Sequence, residues 1–275
     1  MKALAWISCV LLGVAMLYVA TNFPDWGDPN SPASLHLSPH YIEQAIPETS
    51  VPNIVSALLA DYRGYDTMFE TAVVFTAAMA CFFILRVLGC EVSGQQLYRH
   101  LETGILIRSA RRINLPLGSS FKRVESVSQR YDFITAKVCR LMIPFLQIFG
   151  LYVIAHGHHS PGGGFQGGVI LGSAWILLAI SHDLQSACDR YAERKMFVFV
   201  ATGVLIYAGT GVLAMLYGGN FLDYSFLGPL FGLDPVASRS FGIFVVEVGV
   251  GFTVMATMIL LYNFLASAGR CDEGL

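Results

Sequence analysis

The sequence predicts an all-α membrane protein, a polytopic bundle of about six transmembrane helices with both termini in the cytoplasm. Three observations carry this. Hydrophobic residues make up 55% of the 275 residues and charged residues only 13%, about half the charge of an ordinary soluble domain. Apolar runs near membrane-spanning length recur along the chain. Basic residues gather on every second connection between those runs. The net charge of −2 gives no sign of a nucleic-acid partner.

The six spans are read as Ala3–Val19, Met68–Leu88, Val138–Ala155, Phe165–His182, Met196–Tyr217 and Phe241–Ala266. Each approaches the ~20 residues that cross ~30 Å of hydrocarbon at 1.5 Å per residue. The first follows Lys2 as a secretory signal would. Its apolar run is longer than a typical signal core and no small-residue cleavage site follows, so it reads as a retained anchor.

Charge sets the orientation. Every Lys and Arg except Arg63 and Arg239 lies at Lys2, between Arg86 and Arg140, between Arg190 and Lys195, or at Arg270. The segments 20–67 and 218–240 hold the two exceptions. Positive residues stay inside, so these two segments face outward. The cysteines agree: Cys9 and Cys81 fall in spans, and Cys90, Cys139, Cys188 and Cys271 on the cytoplasmic side. Outer loops, where oxidation is permitted, have none. No Cys-x-x-Cys pair suggests zinc, an iron–sulfur cluster or haem attachment.

The chain divides into a two-span module over 1–90, a basic cytoplasmic linker over 91–135 and a four-span module over 136–275. Within the first module, Pro52–Leu59 is read as a short interfacial helix leading into Asp61-Tyr-Arg-Gly-Tyr-Asp-Thr67. The linker carries Arg99, Arg108, Arg111, Arg112, Lys122, Arg123 and Arg130, which suit anionic lipid or a cytoplasmic partner.

Two carboxylates stand out because hydrocarbon tolerates them poorly. Glu70 follows Asp66 by one helical turn, putting both on one face of the second span. Arg63 is the nearest cation in sequence. A carboxylate inside a bilayer needs a partner, water or a proton, so the pair reads either as an ion or proton relay or as a structural ion pair at the interface. Glu247 sits in Val-Val-Glu-Val-Gly-Val-Gly251, roughly 9 Å below the expected start of the last span. It reads as a buried protonatable group facing other helices, the alternative being a structural hydrogen bond.

The run His156-Gly-His-His-Ser-Pro-Gly-Gly-Gly-Phe-Gln-Gly-Gly168 joins two spans. Pro161 and Gly162 suit a turn before a helix start. Gly163 with Gly167, Gly164 with Gly168, and Gly168 with Gly172 are small residues four apart, which let another helix approach closely. The Lys-Ser/Thr ending of a phosphate-binding loop is absent. His156, His158 and His159 lack the spacing and the glutamate of a zinc protease. They can assist proton movement near neutral pH or simply satisfy backbone groups at the turn.

With these residues in view, Gly157–Gly168 closely resembles the signature of the B-type subunits of Mrp-type multisubunit sodium/proton antiporters. The last span resembles the final helix of those subunits, with Glu247 where many members carry an aspartate. The segment Asn53-Ile-Val-Ser-Ala-Leu-Leu-Ala-Asp-Tyr-Arg-Gly-Tyr-Asp-Thr-Met-Phe-Glu-Thr71 is similar to the C-terminal part of the large A-type antiporter subunits, which occurs as a separate small E-type protein in membrane-bound hydrogenases. The resemblance implies an E-type and a B-type module fused in one multi-pass chain of a prokaryotic inner membrane. Its implied partners are other antiporter membrane subunits, the lipid bilayer, Na+ and H+, with no cofactor. Asp66, Glu70 and Glu247 carry over as ion-path carboxylates, the three histidines as further path candidates, and Arg63 as an electrostatic partner. Transport by this chain alone is not expected. The competing expectations are the same module in a redox-driven ion pump, a zinc hydrolase built on the histidine turn, and a passive scaffold.

Overall fold

The last apolar run forms the axis of the fold. Asp234 caps its helix by accepting from the Ala237 backbone at 3.4 Å, and Pro235 occupies the first turn, where its missing N–H leaves no bond unmade. The helix therefore starts at Pro235, six residues ahead of the expected Phe241, and runs to Ala266. The computed structural model describes residues 2–87, 96–100, 103, 106–109, 121–124, 133–181 and 191–267. Cys90, Cys188 and Cys271, most of the basic linker and the end of the fourth predicted span lie outside them.

The chain separates into two compact units, Met1–Ala45 and Ile46–Leu275. The first holds helix α1 (Lys2–Ala20), apolar around its whole circumference, with Trp6, Leu11 and Leu17 exposed. A turn in which Asp28 accepts from the Asn30 backbone at 2.9 Å leads into a π-helical stretch, Ala33–Leu37, and into α2 (Ser38–Thr49), where the boundary falls.

The second unit contains α3 (Ile54–Ala57), a π-helical turn Leu58–Tyr62, and α4 (Gly64–Cys81), which continues as a π-helical segment to Val87. Asn53 caps α3, its side chain accepting from the Val55 backbone at 3.1 Å. Thr67 reaches back to the Leu59 carbonyl at 2.7 Å and ties α4 to the turn before it. The predicted interfacial helix is thus shorter than expected and gives way to a turn that redirects the chain. The bundle is completed by α5 (Phe133–Ala155), α6 (Gly164–Ser181), α7 (Glu193–Leu216), a 3-10 turn Tyr224–Leu227, α8 (Gly228–Phe231) and α9 (Pro235–Ala266).

Helix α9 packs against α7, α6 and α4, while α5 packs chiefly on α6. At one end Ala78, Met196, Val200, Leu260 and Phe264 form a core, with Phe82 edge-on to Phe197 at 5.3 Å between ring centres. Among the described residues, five helices are long and apolar enough to cross a membrane: Gly64–Leu85, Phe133–Ala155, Gly164–Ser181, Glu193–Leu216 and Pro235–Ala266. Ala5–Ala20 is a sixth, shorter apolar stretch.

The linker adds a feature that the helical reading did not anticipate. Its Gln96–His100 (β1), Leu106–Ser109 (β2) and Phe121–Val124 (β3) form an antiparallel sheet in the order β2-β1-β3. Strands of four or five residues rich in Arg and Lys carry too little alternation to register as strands in the sequence.

Candidate ion site

The two glutamates picked from different parts of the sequence line the same cavity. Glu70 from α4 and Glu247 from α9 line one cavity of about 270 Å³, walled also by Ser56, Thr67, Thr71, Gly163 and Tyr207. The volume exceeds that of several water molecules, so a small cation with part of its hydration shell fits. Glu247 is buried, and its Oε2 has no hydrogen-bond partner among the described residues. Because α9 begins at Pro235, Glu247 stands about 18 Å along the helix, twice the depth expected from the sequence. Glu70 is exposed at the open side of the cavity.

Asp66 and Arg63 behave differently. Arg63 Nε donates to Asp66 Oδ2 at 2.7 Å, both side chains more than half exposed. Neither residue lines the cavity. The structure therefore gives Arg63 to Asp66 rather than to Glu70. A solvated pair of this kind contributes about 0–1 kcal/mol.

The glycine run closes one wall of the cavity by removing side chains. Gly163, at φ +128°, adopts a backbone conformation that side chains disfavour, and a Cβ there would stand 3.1 Å from Glu247 Oε1. A Cβ on Gly157 would stand 2.7 Å from Oε2. Gly164, Gly168 and Gly172 form the expected stripe along α6, and all three face α9: their missing side chains make room for the Glu247 carbonyl, the Gly251 carbonyl and Met258. Gly167 faces the other way, against Ile154 and Gly150 of α5. Gly162 and Pro161 lie in the turn, Pro161 three residues before the helix begins.

Asn53 fastens this turn. Its side-chain amide donates to the carbonyls of Gly157 at 2.7 Å and Ser160 at 2.9 Å, and its backbone N–H to His158 at 3.2 Å. Ser56 adds a bond to the Gly157 carbonyl at 2.8 Å. One side chain thus caps α3 and pins the wall behind Glu247. Asn53→Ala is expected to lower stability by about 1–3 kcal/mol through the lost cap and the orphaned carbonyls. Asn53→Asp keeps the cap acceptor and loses the donors, so it should fall between. Thermal unfolding of the purified protein checks this, and an unchanged melting temperature for Asn53→Ala would remove Asn53 from its fastening role.

The histidines sit on that turn and outside the carboxylate cavity. His156 is exposed and stacks on Tyr152 with ring centres 4.3 Å apart. His159 is exposed and lies 4.1 Å from the partly buried His158. Burial, then the neighbouring His159 and His156, hold the His158 imidazole below its ordinary value of 6.5. Its neutral form is favoured in the fold, so the stability it contributes is present above pH 6.5 and lost as pH falls through the lowered value. Melting curves between mildly alkaline and acidic pH should show an acid-side loss that His158→Gln reduces. An identical pH dependence in the variant would contradict this. Among the described residues no three His, Cys, Asp or Glu side chains converge as metal ligands, which leaves the zinc-hydrolase expectation without a site there.

A second polar group lies beside the cavity. Arg239, at the start of α9, donates from Nε to Asp61 Oδ2 at 2.7 Å, with the Glu48 carboxylate 3.7 Å from its Nη1 and the Tyr62 ring 5.6 Å below. Burial lifts the Asp61 carboxyl above its usual range against the pull of Arg239. Arg63 and Arg239 are the two cations on the outward side in the charge pattern, and each is held by a carboxylate. Asn53, Ser56, Asp61 and Arg239 do not stand out as functional groups in the sequence. The available signals are an Asn just ahead of a short apolar run, as in a helix cap, and an isolated Arg in a segment otherwise depleted of positive charge.

Set against known proteins, residues 134–260 match the family described as a domain related to the MnhB subunit of the Na+/H+ antiporter. Residues 8–93 match the MbhE family, the E-type component of MBH. The B-type Na(+)/H(+) antiporter protein of Bacillus subtilis (strain 168) is 31% identical over 134 residues, which cover 46% of this chain and 92% of that protein. The chain belongs to the MnhB family. A longer relative of this MnhB-family chain is the probable K(+)/H(+) antiporter A/B protein of Rhizobium meliloti (strain 1021). It is 26% identical over 252 residues, and the match spans 86% of this chain but only 24% of that much longer protein. Among solved structures, a chain of the membrane-bound sulfane sulfur reductase, an archaeal respiratory membrane complex, shares the fold at a TM-score of 0.53 and 22% identity, with 94% of this chain and 97% of that one covered. The Mrp complex from Dietzia sp. DQ12-45-1b does so at a TM-score of 0.53 and 21% identity, covering 99% of this chain and 26% of that one. This MnhB-family member is a multi-pass membrane protein.

Proposed function

We propose that this chain is the E-plus-B portion of a multisubunit monovalent cation/proton exchanger and that it carries part of the ion path in the Glu70–Glu247 cavity. The carrying observation is that two carboxylates from helices far apart in sequence line one cavity, one of them buried with an oxygen unpartnered among the described residues. A carboxylate in that setting exchanges a proton for a cation readily, because burial favours neutralisation and either H+ or a cation supplies it. Sodium is the cation named for the Bacillus subtilis relative and potassium for the Rhizobium meliloti one.

The exposure of Glu70 supports assembly with a larger partner. It lies about 9 Å into α4, and a carboxylate facing lipid at that depth is unfavourable by several kcal/mol on the milder scales. A partner protein over the open side of the cavity removes that exposure and continues the path. The test is reconstitution of the intact complex in vesicles, with cation-driven pH change measured for Glu70→Gln and Glu247→Gln. Loss in both supports the shared cavity. Wild-type exchange in both ends the proposal.

A second reading places the same fold in a redox-driven ion pump, favoured by the coverage of nearly the whole matching chain of the archaeal respiratory complex. Gentle extraction and identification of copurifying proteins separates the two. Antiporter-like proteins without redox partners favour the exchanger, and iron–sulfur or nickel-bearing proteins in the same particle favour the pump.

A further inference from the structure

We propose that Tyr207, Tyr224 and Asp61 form a proton path leading from the Glu70–Glu247 cavity to a station at the Asp61–Arg239 pair, separate from the opening through which the cation enters. This rests on the ion-path reading of the cavity. Tyr207 lines the cavity, and its hydroxyl donates to the Gly64 carbonyl at 2.9 Å. The Tyr224 hydroxyl donates to the Ala60 carbonyl at 2.9 Å. Both phenol oxygens lie within 4 Å of the point a Cβ of Gly64 would occupy, and each acts on the other. Ala60 and Gly64 flank the turn that carries Asp61, and the Asp61 charge acts on both tyrosines. The rings of Tyr207 and Tyr224 are fully buried. A Cβ at Gly64 would stand in ordinary contact with Leu222 at 3.4 Å and with both hydroxyls, which places the two phenol oxygens around one point beside the turn.

The groups acting on Asp61 are Arg239, Asp223 and Glu48, and Asp61 acts in turn on Tyr62, Tyr207 and Tyr224. Two further carboxylates oppose its charge, one guanidinium supports it, and burial weakens it. Burial and the two neighbouring carboxylates favour the neutral form of Asp61, and Arg239 favours the charged one. In one concerted step, a cavity carboxylic acid gives its proton to the Tyr207 oxygen, Tyr207 gives its hydroxyl proton to the Tyr224 oxygen, and Tyr224 gives its own to the Asp61 carboxylate. The cavity carboxylate is left charged and ready for a cation, Asp61 is left neutral, and Arg239 leans on Glu48. No tyrosinate accumulates, which matters because burial raises the Tyr224 hydroxyl further above its ordinary range.

The experiment uses the assembled complex with its partner proteins, reconstituted with a pH dye inside the vesicles. Tyr224→Phe, Asp61→Asn and Asp61→Glu are compared with wild type, and Glu247→Gln serves as the control for the cavity. Tyr224→Phe and Asp61→Asn should slow cation-driven proton movement at least about tenfold and displace the pH–rate profile. Radiolabelled sodium binding should be unchanged, and Asp61→Glu should restore most of the rate. If Tyr224→Phe exchanges at the wild-type rate and profile while Glu247→Gln is dead, the path is wrong and the cavity reading survives. A rate loss matched by loss of sodium binding, with no change of profile, assigns these residues to structure and overturns the path. Should Asp61→Asn fail to assemble, Tyr224→Phe, which keeps the ring and loses only the hydroxyl, decides alone. Exchange retained in Glu247→Gln removes the cavity reading first.

Discussion

Glu247→Gln is expected to reduce cation/proton exchange by the assembled complex at least about a hundredfold, the scale on which a proton-carrying group contributes. The substitution keeps the volume and shape of the side chain, so the wall formed by Gly157, Gly163 and Gly164 still fits around it. What it removes is the charge and the exchangeable proton. A buried carboxylate with an unpartnered oxygen is a burden on folding, and the amide relieves it. Stability should therefore stay level or rise while exchange collapses. That divergence separates an ion-path residue from a structural one, because a structural carboxylate would lose both together. Melting temperature and cation-driven pH change on the same preparation provide the check. Retained exchange, or a loss of stability in proportion to exchange, would turn Glu247 into a packing residue.

Some of this is legible in the sequence, and the rest is concealed for physical reasons. Charge depletion and positive-residue alternation signal the spans because the bilayer penalises any other arrangement. Glu247 is visible because a lone acid in a 32-residue apolar helix stands out. Its sharing of a cavity with Glu70 is not, since the two lie far apart in sequence and the cavity depends on how α4 and α9 pack. The start of α9 is misplaced in the sequence reading because Arg239 and Ser238 look like loop residues until Asp61 and the Tyr224 carbonyl take them up, the latter at 2.6 Å from Ser238 Oγ. Asp66 and Glu70 stand one turn apart, yet only Glu70 lines the cavity, because α4 presents Thr67, Glu70, Thr71 and Val74 to it and Asp66 pairs with Arg63 in solvent. The role of Asn53 is hidden too: its donors serve a turn more than a hundred residues away, and only the cap is a local signal.

Among the described glycines, Gly164→Ala is expected to be the most disruptive addition of a single methyl group. A Cβ at Gly164 would run into the backbone carbonyl and Cα of Glu247 itself. Where an added methyl meets the end of a flexible side chain, that chain can swing aside. Here it meets the backbone of another helix, so α6 and α9 must separate along their whole contact. Overpacking of this kind is unfavourable by about 1–3 kcal/mol, and more when backbone must move. The displaced wall is also the one that holds Glu247, so exchange should fall even in the fraction that assembles. Two other glycines calibrate the effect. At Gly172 the added atom would stand 3.1 Å from the Cβ of Met258 and 3.3 Å from the Met255 carbonyl, so a shift of a few tenths of an ångström suffices and a milder loss is expected. At Gly209, within α7, nothing lies within 4 Å, and Gly209→Ala should be neutral or stabilising by about 0.5–1 kcal/mol through helix propensity. Recovery of assembled complex after purification, ranked Gly209→Ala above Gly172→Ala above Gly164→Ala, is the expected result. Equal recovery for all three would mean that the stripe on α6 does not set the approach of α9, and that the position of Glu247 is held by the Asn53 clamp alone.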